Sequence, residues 1–414
     1  MHAFQYRGNE LYCEQVPVKT IADNIGTPLY LYSRATLVRH FTVFDQAFAS
    51  IPHLTCYSVK ANSNLSILRL LGNLGAGVDV VSGGEIYRAV LAGISPAKIV
   101  YSGVGKTREE IRYALTSGIL QFNVESEQEL EAISSVAKSL GIQAPVALRV
   151  NPDVDPKTHP YIATGLKKNK FGIACNAALG LYARAARDPH LRITGIACHI
   201  GSQITEITPF VDALERIVAF AAQLKSMHNI TVHYLDIGGG LGITYANETP
   251  PHPEQYAAAL TDLARQSGCT LILEPGRVIV GNAGILVTRV LYTKRTGEKQ
   301  FIIVDAAMND LIRPSLYHAH HELQPVVKRN APCTVADVVG PICESGDFMA
   351  HARSIEAMSP GDLIAIMSAG AYGFSMSSNY NSRPRAAEVL VDDSSYRIIR
   401  RRETYEDLVR HEQE

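Results

Sequence analysis

Between about residues 54 and 276, short and nearly uninterrupted apolar runs alternate with stretches whose apolar residues recur three and four positions apart. The runs Leu54–Lys60, Gly77–Ser82, Ile99–Ser102, Leu120–Val124, Val146–Val150, Gly195–His199, Tyr234–Ile237 and Leu271–Glu274 read as strands. The intervening stretches, such as Glu127–Leu140 and Pro209–Met227, read as helices. In the first of these, Leu130, Ile133, Ala137 and Leu140 make one apolar face, and Ser126-x-x-Glu129 predicts a capping box at its start. A half-exposed strand would alternate apolar with polar residues, whereas continuous apolar runs suit a parallel sheet covered by helices. Eight strand-and-helix units in succession predict an α/β architecture, a closed (β/α)8 TIM barrel. An open doubly wound sheet is the alternative that counting alone leaves standing.

After about Gly284 the rhythm changes. Phe301–Asp305, Thr334–Val339, Asp362–Met367 and Glu388–Val391 look like strands without long helices between them, and Leu29–Tyr32 near the N-terminus is similar. A second, mostly β domain built from both chain ends accounts for this pattern, because chain ends commonly lie near each other. The expected division is a barrel over 34–284 and a β-rich domain from 1–33 plus 285–414. The basic and acidic tail after Arg400 is expected to form a solvated helix.

Composition narrows the class of protein. The chain has 414 residues, 46% apolar and 19% charged, with a formal net charge of −1. These values suit a soluble enzyme of two domains and give no reason to expect a nucleic-acid or membrane partner. Seven cysteines (Cys13, Cys56, Cys175, Cys198, Cys269, Cys333 and Cys343) are scattered and never arranged as CxxC, so neither a disulfide framework nor a bound metal is expected. Residues 1–7 carry no apolar leader region and no apolar run reaches ~18 residues, so a cytoplasmic location is expected.

In such barrels the reactive groups gather at the C-terminal ends of the strands. The first strand ends in Lys60-Ala61-Asn62, the second in Asp79 through Ser82, and the sixth in His199-Ile200-Gly201-Ser202. The seventh ends in Gly238-Gly239-Gly240 and the eighth in Glu274-Pro275-Gly276-Arg277. This assortment meets the needs of pyridoxal phosphate: an amine to hold it, an acid for its ring nitrogen, support for its ring and a cradle for its phosphate. Lys60 closes an otherwise uncharged run, and a partly desolvated amine is a better nucleophile, though a lysine snorkelling from a strand end is the plainer alternative. Glu274 is the candidate partner of the ring nitrogen, with a salt bridge to Arg277 as the alternative. The glycines of 238–242 let backbone N–H groups surround an anion, although tight turns are a commoner use of such clusters. Gly103-Val104-Gly105-Lys106-Thr107 imitates the end of a Walker A motif, but its leading glycine would fall at Val100, so an ATP site is rejected.

Taken in order, these segments resemble the fold-type III pyridoxal-phosphate decarboxylases, which act on ornithine, arginine or diaminopimelate. The matching segments are Tyr57–Asn62, Asp79–Glu85, Cys198–Gln203, Asp236–Gly240, Glu274–Arg277 and Gly340–Asp347, spread over essentially the whole chain. The resemblance implies a small-molecule amino-acid substrate and a homodimer with shared active sites. It implies that Lys60 carries the cofactor, that His199 stacks on its ring, and that Glu274 pairs with its nitrogen, with Asp79 also at the cofactor. Ser202, Gly238, Gly239, Gly240, the backbone at Pro275, Gly276 and Arg277, and the Tyr372 hydroxyl would hold the rest of it. Cys343 would donate a proton across the dimer interface.

Glu344 after that cysteine resembles the diaminopimelate pattern, where ornithine enzymes place Asp. The resemblance then implies that Glu344 binds the substrate's far amino group, that Arg277, Arg313 and Tyr317 bind its far carboxylate, and that Tyr372 reaches both substrate and cofactor. A second carboxylate calls for guanidinium forks, although Arg313 in a surface or interface ion pair is the plainer alternative. The implied reaction is decarboxylation of meso-2,6-diaminopimelate to L-lysine. A related ornithine, arginine or carboxylated-polyamine decarboxylase is the alternative, and a non-catalytic decarboxylase-like binding protein the remoter one. His318, His320 and His321 are expected to make ordinary hydrogen bonds rather than hold metal. Lys167, Lys168 and Lys170, following Tyr161–Gly165, are expected in a solvated loop, with a flap over the active site as the functional version.

Overall fold

A computed structural model of the chain describes residues 2–155 and 170–412. It divides into two units, one formed by Phe41–Ile243 with Thr249–Val278, the other by Met1–His40, Thr244–Glu248 and Ile279–Glu414.

The first unit is a closed barrel. Its strands are His53–Ser58, Gly77–Val80, Ile99–Tyr101, Gln121–Val124, Ala144–Asn151, Leu191–Ala197, Tyr234–Asp236 and Thr270–Leu273. Each runs parallel to its neighbours in chain order, and pairing of the eighth with the first closes the ring. Every residue of the second, third and fourth strands is buried, which accounts for their largely apolar make-up; the exceptions, Asp79, Gln121 and Asn123, meet their burial with hydrogen bonds. Closure also removes the edges that an open sheet would expose.

Several strands end before the apolar runs do. The first stops at Ser58, and Lys60 lies in the single 3-10 turn Val59–Ala61. The sixth stops at Ala197 and the eighth at Leu273. Past these points backbone bonds link one strand end to the next, as from Ser58 N–H to the Pro275 carbonyl (3.0 Å) and from Glu274 N–H to the Gly238 carbonyl (2.8 Å). The sixth strand carries an irregularity between Ile193 and Gly195. There the buried Tyr182 hydroxyl accepts from Leu148 N–H (3.0 Å) and donates to the Gly195 carbonyl (2.8 Å), restoring partners that the broken ladder leaves over.

The helix expected over Glu127–Leu140 has those bounds, and its partner on the expected Pro209–Met227 stretch spans Thr208–His228. The capping box at Ser126 is only half made. The Ser126 hydroxyl accepts from Glu129 N–H (3.2 Å), but the Glu129 carboxylate turns to Glu125 N–H (3.2 Å) and to Lys106 (2.6 Å). A buried ammonium is a stronger attraction than one backbone donor. Lys106 also donates to the Gly103 and Asn123 carbonyls, so the lysine of the Walker-like segment is spent inside the fold.

The second unit is mostly β. Leu29–Ser33 lies inside its large sheet, antiparallel to Gly284–Thr296 on one side and parallel to Ala387–Asp392 on the other. Both chain ends therefore build this unit, and Leu29, Leu31, Ile285, Val287, Val389 and Val391 share its core. Gly284–Thr296, Phe348–Glu356 and Ser395–Arg400 are strands that the apolar pattern does not announce. Their exposed residues are many and, as at Lys294 and Arg295, charged, so no continuous apolar run marks them. The tail after Arg400 contains the short helix Tyr405–Val409. Among the described residues no helix is long and apolar enough to cross a membrane.

Candidate active site

A cavity of about 320 Å³ opens at the C-terminal ends of the barrel strands, lined among others by Lys60, Ser102, Asn123, Arg149, His199 and Glu274. Lys60 reaches it from the turn after the first strand and pairs through Nζ with Asp79 Oδ2 at 2.6 Å. Asp79 is fully buried, and the same oxygen accepts from the Ser58 hydroxyl (3.0 Å). The lysine side chain keeps 38% of its exposure, so the amine is accessible from the cavity while its counter-charge is not.

Beneath the cavity lies a polar network drawn from four strands. One Asn123 amide nitrogen donates to Asp236 Oδ2 (2.8 Å) and lies 3.3 Å from Glu274 Oε1, and the Ser102 hydroxyl is 3.4 Å from the same glutamate oxygen. Gln121 and Thr194 continue the chain of bonds deeper into the barrel. Asp236 and Glu274 are both buried, and burial pushes both carboxyls up. Asp236 rises to about 6, with the Asp79 charge adding to the rise and hydrogen bonds from Asn123, Gly238 N–H and Glu274 opposing it. Glu274 lies well above the ordinary range, with the Asp236 and Asp79 charges adding to its burial. Such a pair retains a proton where an exposed pair would lose both.

The His199 ring is held neutral. Gly239 N–H donates to its Nδ1 (3.2 Å), which leaves Nε2 to carry the hydrogen. Burial, then the Arg149 and Lys60 cations, depress its basicity far below that of a free imidazole. The adjoining glycines permit this approach: a Cβ at Gly238 would lie 2.6 Å from His199 Nδ1, and one at Gly239 would lie 2.1 Å from the Glu274 carbonyl oxygen. Arg277, buried at the start of a short helix, donates to the Ser202 hydroxyl (3.3 Å), and Pro275 and Gly276 beside it are buried.

The remaining candidate residues belong to the β unit. Cys343 and Glu344 stand exposed on the Gly340–Asp347 loop. The base of that loop is tied by the Asp347 carboxylate, which accepts from Ile342 N–H and Met308 N–H, each at 2.7 Å. Asn381 accepts from Cys343 N–H (3.0 Å) and the Tyr380 hydroxyl lies 3.3 Å from Glu344 Oε2. Tyr372 has a left-handed backbone, φ +56°, which a tyrosine adopts only under constraint from its surroundings. Arg313 begins the short helix Arg313–Tyr317, which ends in the half-buried Tyr317. Arg313 is buried and donates to the Tyr245 hydroxyl (2.7 Å).

His320 and His321 take part in hydrogen bonds with Arg353 and Arg313, and the described residues contain no cluster able to hold a metal ion. Lys167 and Lys168 lie outside the described residues, whereas Lys170 rests 5.2 Å from the centre of the Phe171 ring.

Ser102, Asn123 and Arg149 join the site without having been singled out by sequence. They sit at the C-terminal ends of the third, fourth and fifth strands, so the rule applied to the other strands also finds them. Arg149 is bound at 2.6 Å to the buried Glu125.

These groups suit pyridoxal phosphate: a reachable amine, a buried acid pair that retains a proton, a flat neutral ring, and backbone donors where side chains cannot fit. A family model described as "Pyridoxal-dependent decarboxylase, pyridoxal binding domain" matches residues 34–281. The chain belongs to this family of pyridoxal-dependent decarboxylases. Over its full length it is similar to diaminopimelate decarboxylases. That of Pseudomonas aeruginosa is 54% identical over 408 residues, covering 99% of this chain and 98% of its own. That of Vibrio cholerae is 51% identical over 410 residues, with 99% and 98% covered. The crystal structure of the Helicobacter pylori diaminopimelate decarboxylase complexed with L-lysine matches with a TM-score of 0.92 at 44% identity, covering 95% of this chain and 98% of that one.

Proposed function

We propose that the protein is a pyridoxal-phosphate-dependent carboxy-lyase that converts meso-2,6-diaminopimelate to L-lysine and carbon dioxide, the last step of lysine synthesis by that route. The observation that carries this reading is the gathering of Lys60, His199 and Glu274 at one cavity in a chain matched end to end by diaminopimelate decarboxylases. Bound there, pyridoxal phosphate supplies a sink for the electron pair left when carbon dioxide departs.

The protein's own groups have distinct tasks in this reading. Lys60 holds the cofactor covalently, with Asp79 beside its amine. Glu274 keeps a proton at the ring nitrogen, and its neighbour Asp236 favours that proton by repelling a second negative charge. His199, neutral and flat, supports the ring face without competing for charge. Ser202, Gly238, Gly239, Gly240, the backbone from Pro275 to Arg277, and the Tyr372 hydroxyl hold the phosphate. Arg277, Arg313 and Tyr317 bind the carboxylate that does not react, Tyr372 also reaches the substrate, and Glu344 binds the far ammonium. As the carbon–carbon bond to the departing carboxylate breaks, Cys343 Sγ delivers its proton to the carbon left behind.

Cys343 and Glu344 serve the active site of a second copy in a homodimer, which agrees with their exposure on an anchored loop. In this arrangement residues 34–284 form the cofactor-binding domain, and 1–33 with 285–414 supply substrate and interface residues. The enzyme works in the cytoplasm. The test is release of carbon dioxide, with L-lysine formed in equal amount, from meso-diaminopimelate set against ornithine and arginine; preference for either of the latter would overturn the substrate assignment. Mixing inactive Lys60→Ala and Cys343→Ala proteins after subunit exchange should restore up to about a quarter of native activity, since half the dimers then contain one intact site. Verified mixed dimers without activity would refute the shared site.

A further inference from the structure

The β unit contains a buried cluster centred on Arg313. Arg313, Tyr245 and His321 are each less than a tenth exposed, His321 not at all. Arg313 Nη1 donates to the Tyr245 hydroxyl at 2.7 Å and lies 3.4 Å from His321 Nε2. The guanidinium carbon also sits 4.7 Å from the centre of the Tyr245 ring, and that ring meets the His321 ring edge-on at 5.4 Å. On its other side, His321 Nδ1 is 2.8 Å from the Met367 carbonyl oxygen.

These contacts decide the state of the histidine. A guanidinium can only donate and a backbone carbonyl can only accept. His321 must therefore carry its hydrogen on Nδ1, bonded to Met367, and present the Nε2 lone pair to Arg313. Tyr245 and His321 thus grip one arm of a planar fork, while the Tyr245 ring lies against the guanidinium carbon. Two contacts to one arm and a ring against the central carbon limit the directions of the other guanidinium donors, which a long arginine side chain would otherwise scatter among many rotamers.

We infer that Tyr245 and His321 are positioning residues that aim Arg313 at the non-reacting carboxylate of the substrate and so set the preference for a substrate that carries one. This inference rests on the diaminopimelate reading above. It assigns a use to His321 that neither metal binding nor simple core packing supplies: a lone pair is offered to a buried cation, and a second bond holds the ring in the tautomer that can offer it.

The test uses holoenzyme and two ligands, L-lysine, which retains the far carboxylate, and cadaverine, which lacks it, each titrated through the cofactor's visible absorbance. His321→Asn keeps an amide nitrogen near Nδ1 but places no acceptor at Nε2; His321→Gln can reach the Nε2 position with its carbonyl oxygen. Tyr245→Phe keeps the ring and removes the hydroxyl. His321→Asn and Tyr245→Phe should weaken L-lysine binding and raise KM for meso-diaminopimelate by ~10-fold to ~100-fold, the range for a charge-assisted hydrogen bond, with kcat nearly unchanged. Cadaverine binding should not move, and His321→Gln should recover most of the lost affinity. Unchanged L-lysine binding in both His321→Asn and Tyr245→Phe would overturn the inference, and so would equal weakening of L-lysine and cadaverine, which marks general damage to the fold. Failure of wild-type enzyme to turn over meso-diaminopimelate would instead overturn the substrate assignment itself.

Discussion

Replacing Gly239 by alanine probes the junction on which the site is built. The new Cβ would lie 2.1 Å from the Glu274 carbonyl oxygen and 3.0 Å from its carbonyl carbon, both backbone atoms that cannot swing aside. Non-bonded heavy atoms need roughly 3 Å or more, so the segments after the seventh and eighth strands must part by about an ångström. That movement strains the bonds from Glu274 N–H to the Gly238 carbonyl (2.8 Å) and from Ile237 N–H to the Ile272 carbonyl (3.1 Å). Overpacking costs about 1–3 kcal/mol, and two weakened buried bonds add about 1 kcal/mol each, so the expected loss is roughly 3–5 kcal/mol. The same shift displaces Gly239 N–H from His199 Nδ1, so cofactor affinity should fall with stability. Gly268→Ala is the control: its Cβ would enter open space, and its φ of +68° makes the penalty conformational, about 1–2 kcal/mol. Urea unfolding of the cofactor-free proteins, followed by cofactor titration through absorbance, gives both readings. If Gly239→Ala costs no more than Gly268→Ala and binds cofactor normally, the close crossing does not shape the site.

Three further outcomes rest on the same geometry. Lys60→Ala should abolish turnover, and borohydride reduction should no longer leave a cofactor-labelled peptide; a label recovered on another lysine would displace Lys60 from its role. In the cofactor-free protein, the raised Asp236 and Glu274 carboxyls bind more protons folded than unfolded. Their contribution is fully present below the unfolded carboxyl range, near about pH 4, and is lost as pH rises through their folded values. Urea midpoints should therefore drop with rising pH in the wild type and drop less in Glu274→Gln, and parallel profiles would contradict the coupled pair. Tyr182→Phe leaves Leu148 N–H and the Gly195 carbonyl without the hydroxyl that joins them, so it should cost about 2–4 kcal/mol of stability in urea unfolding with little change in KM.

Much of the architecture is legible in the order of residues alone. Eight apolar runs mark the barrel strands because burial on both faces writes itself into consecutive residues, and Leu29–Tyr32 marks an N-terminal strand of the β unit. The motif residues are legible for a similar reason: strand ends are local features, and Lys60, His199, Gly238 and Glu274 occupy them. The strand Gly284–Thr296 shows the limit of that signal, since its far half is exposed and charged and is held by pairing with Lys299–Val304.

What each group does depends on neighbours that sequence order does not reveal. Asp79 meets Lys60 from another strand, and Asn123 brings Asp236 and Glu274 onto one amide across barrel strands far apart in the chain. Glu129 has the spacing of a capping box, yet a buried lysine claims its carboxylate. Arg313, Tyr245 and His321 carry no shared motif, and only folding places them on one another. The chain by itself determined which residue types stand at the strand ends, because backbone periodicity is set by adjacent residues. Tertiary structure decided their charge, tautomer and aim, because desolvation and hydrogen-bond partners arise from segments that become neighbours only when the barrel closes and the sheet of the β unit assembles.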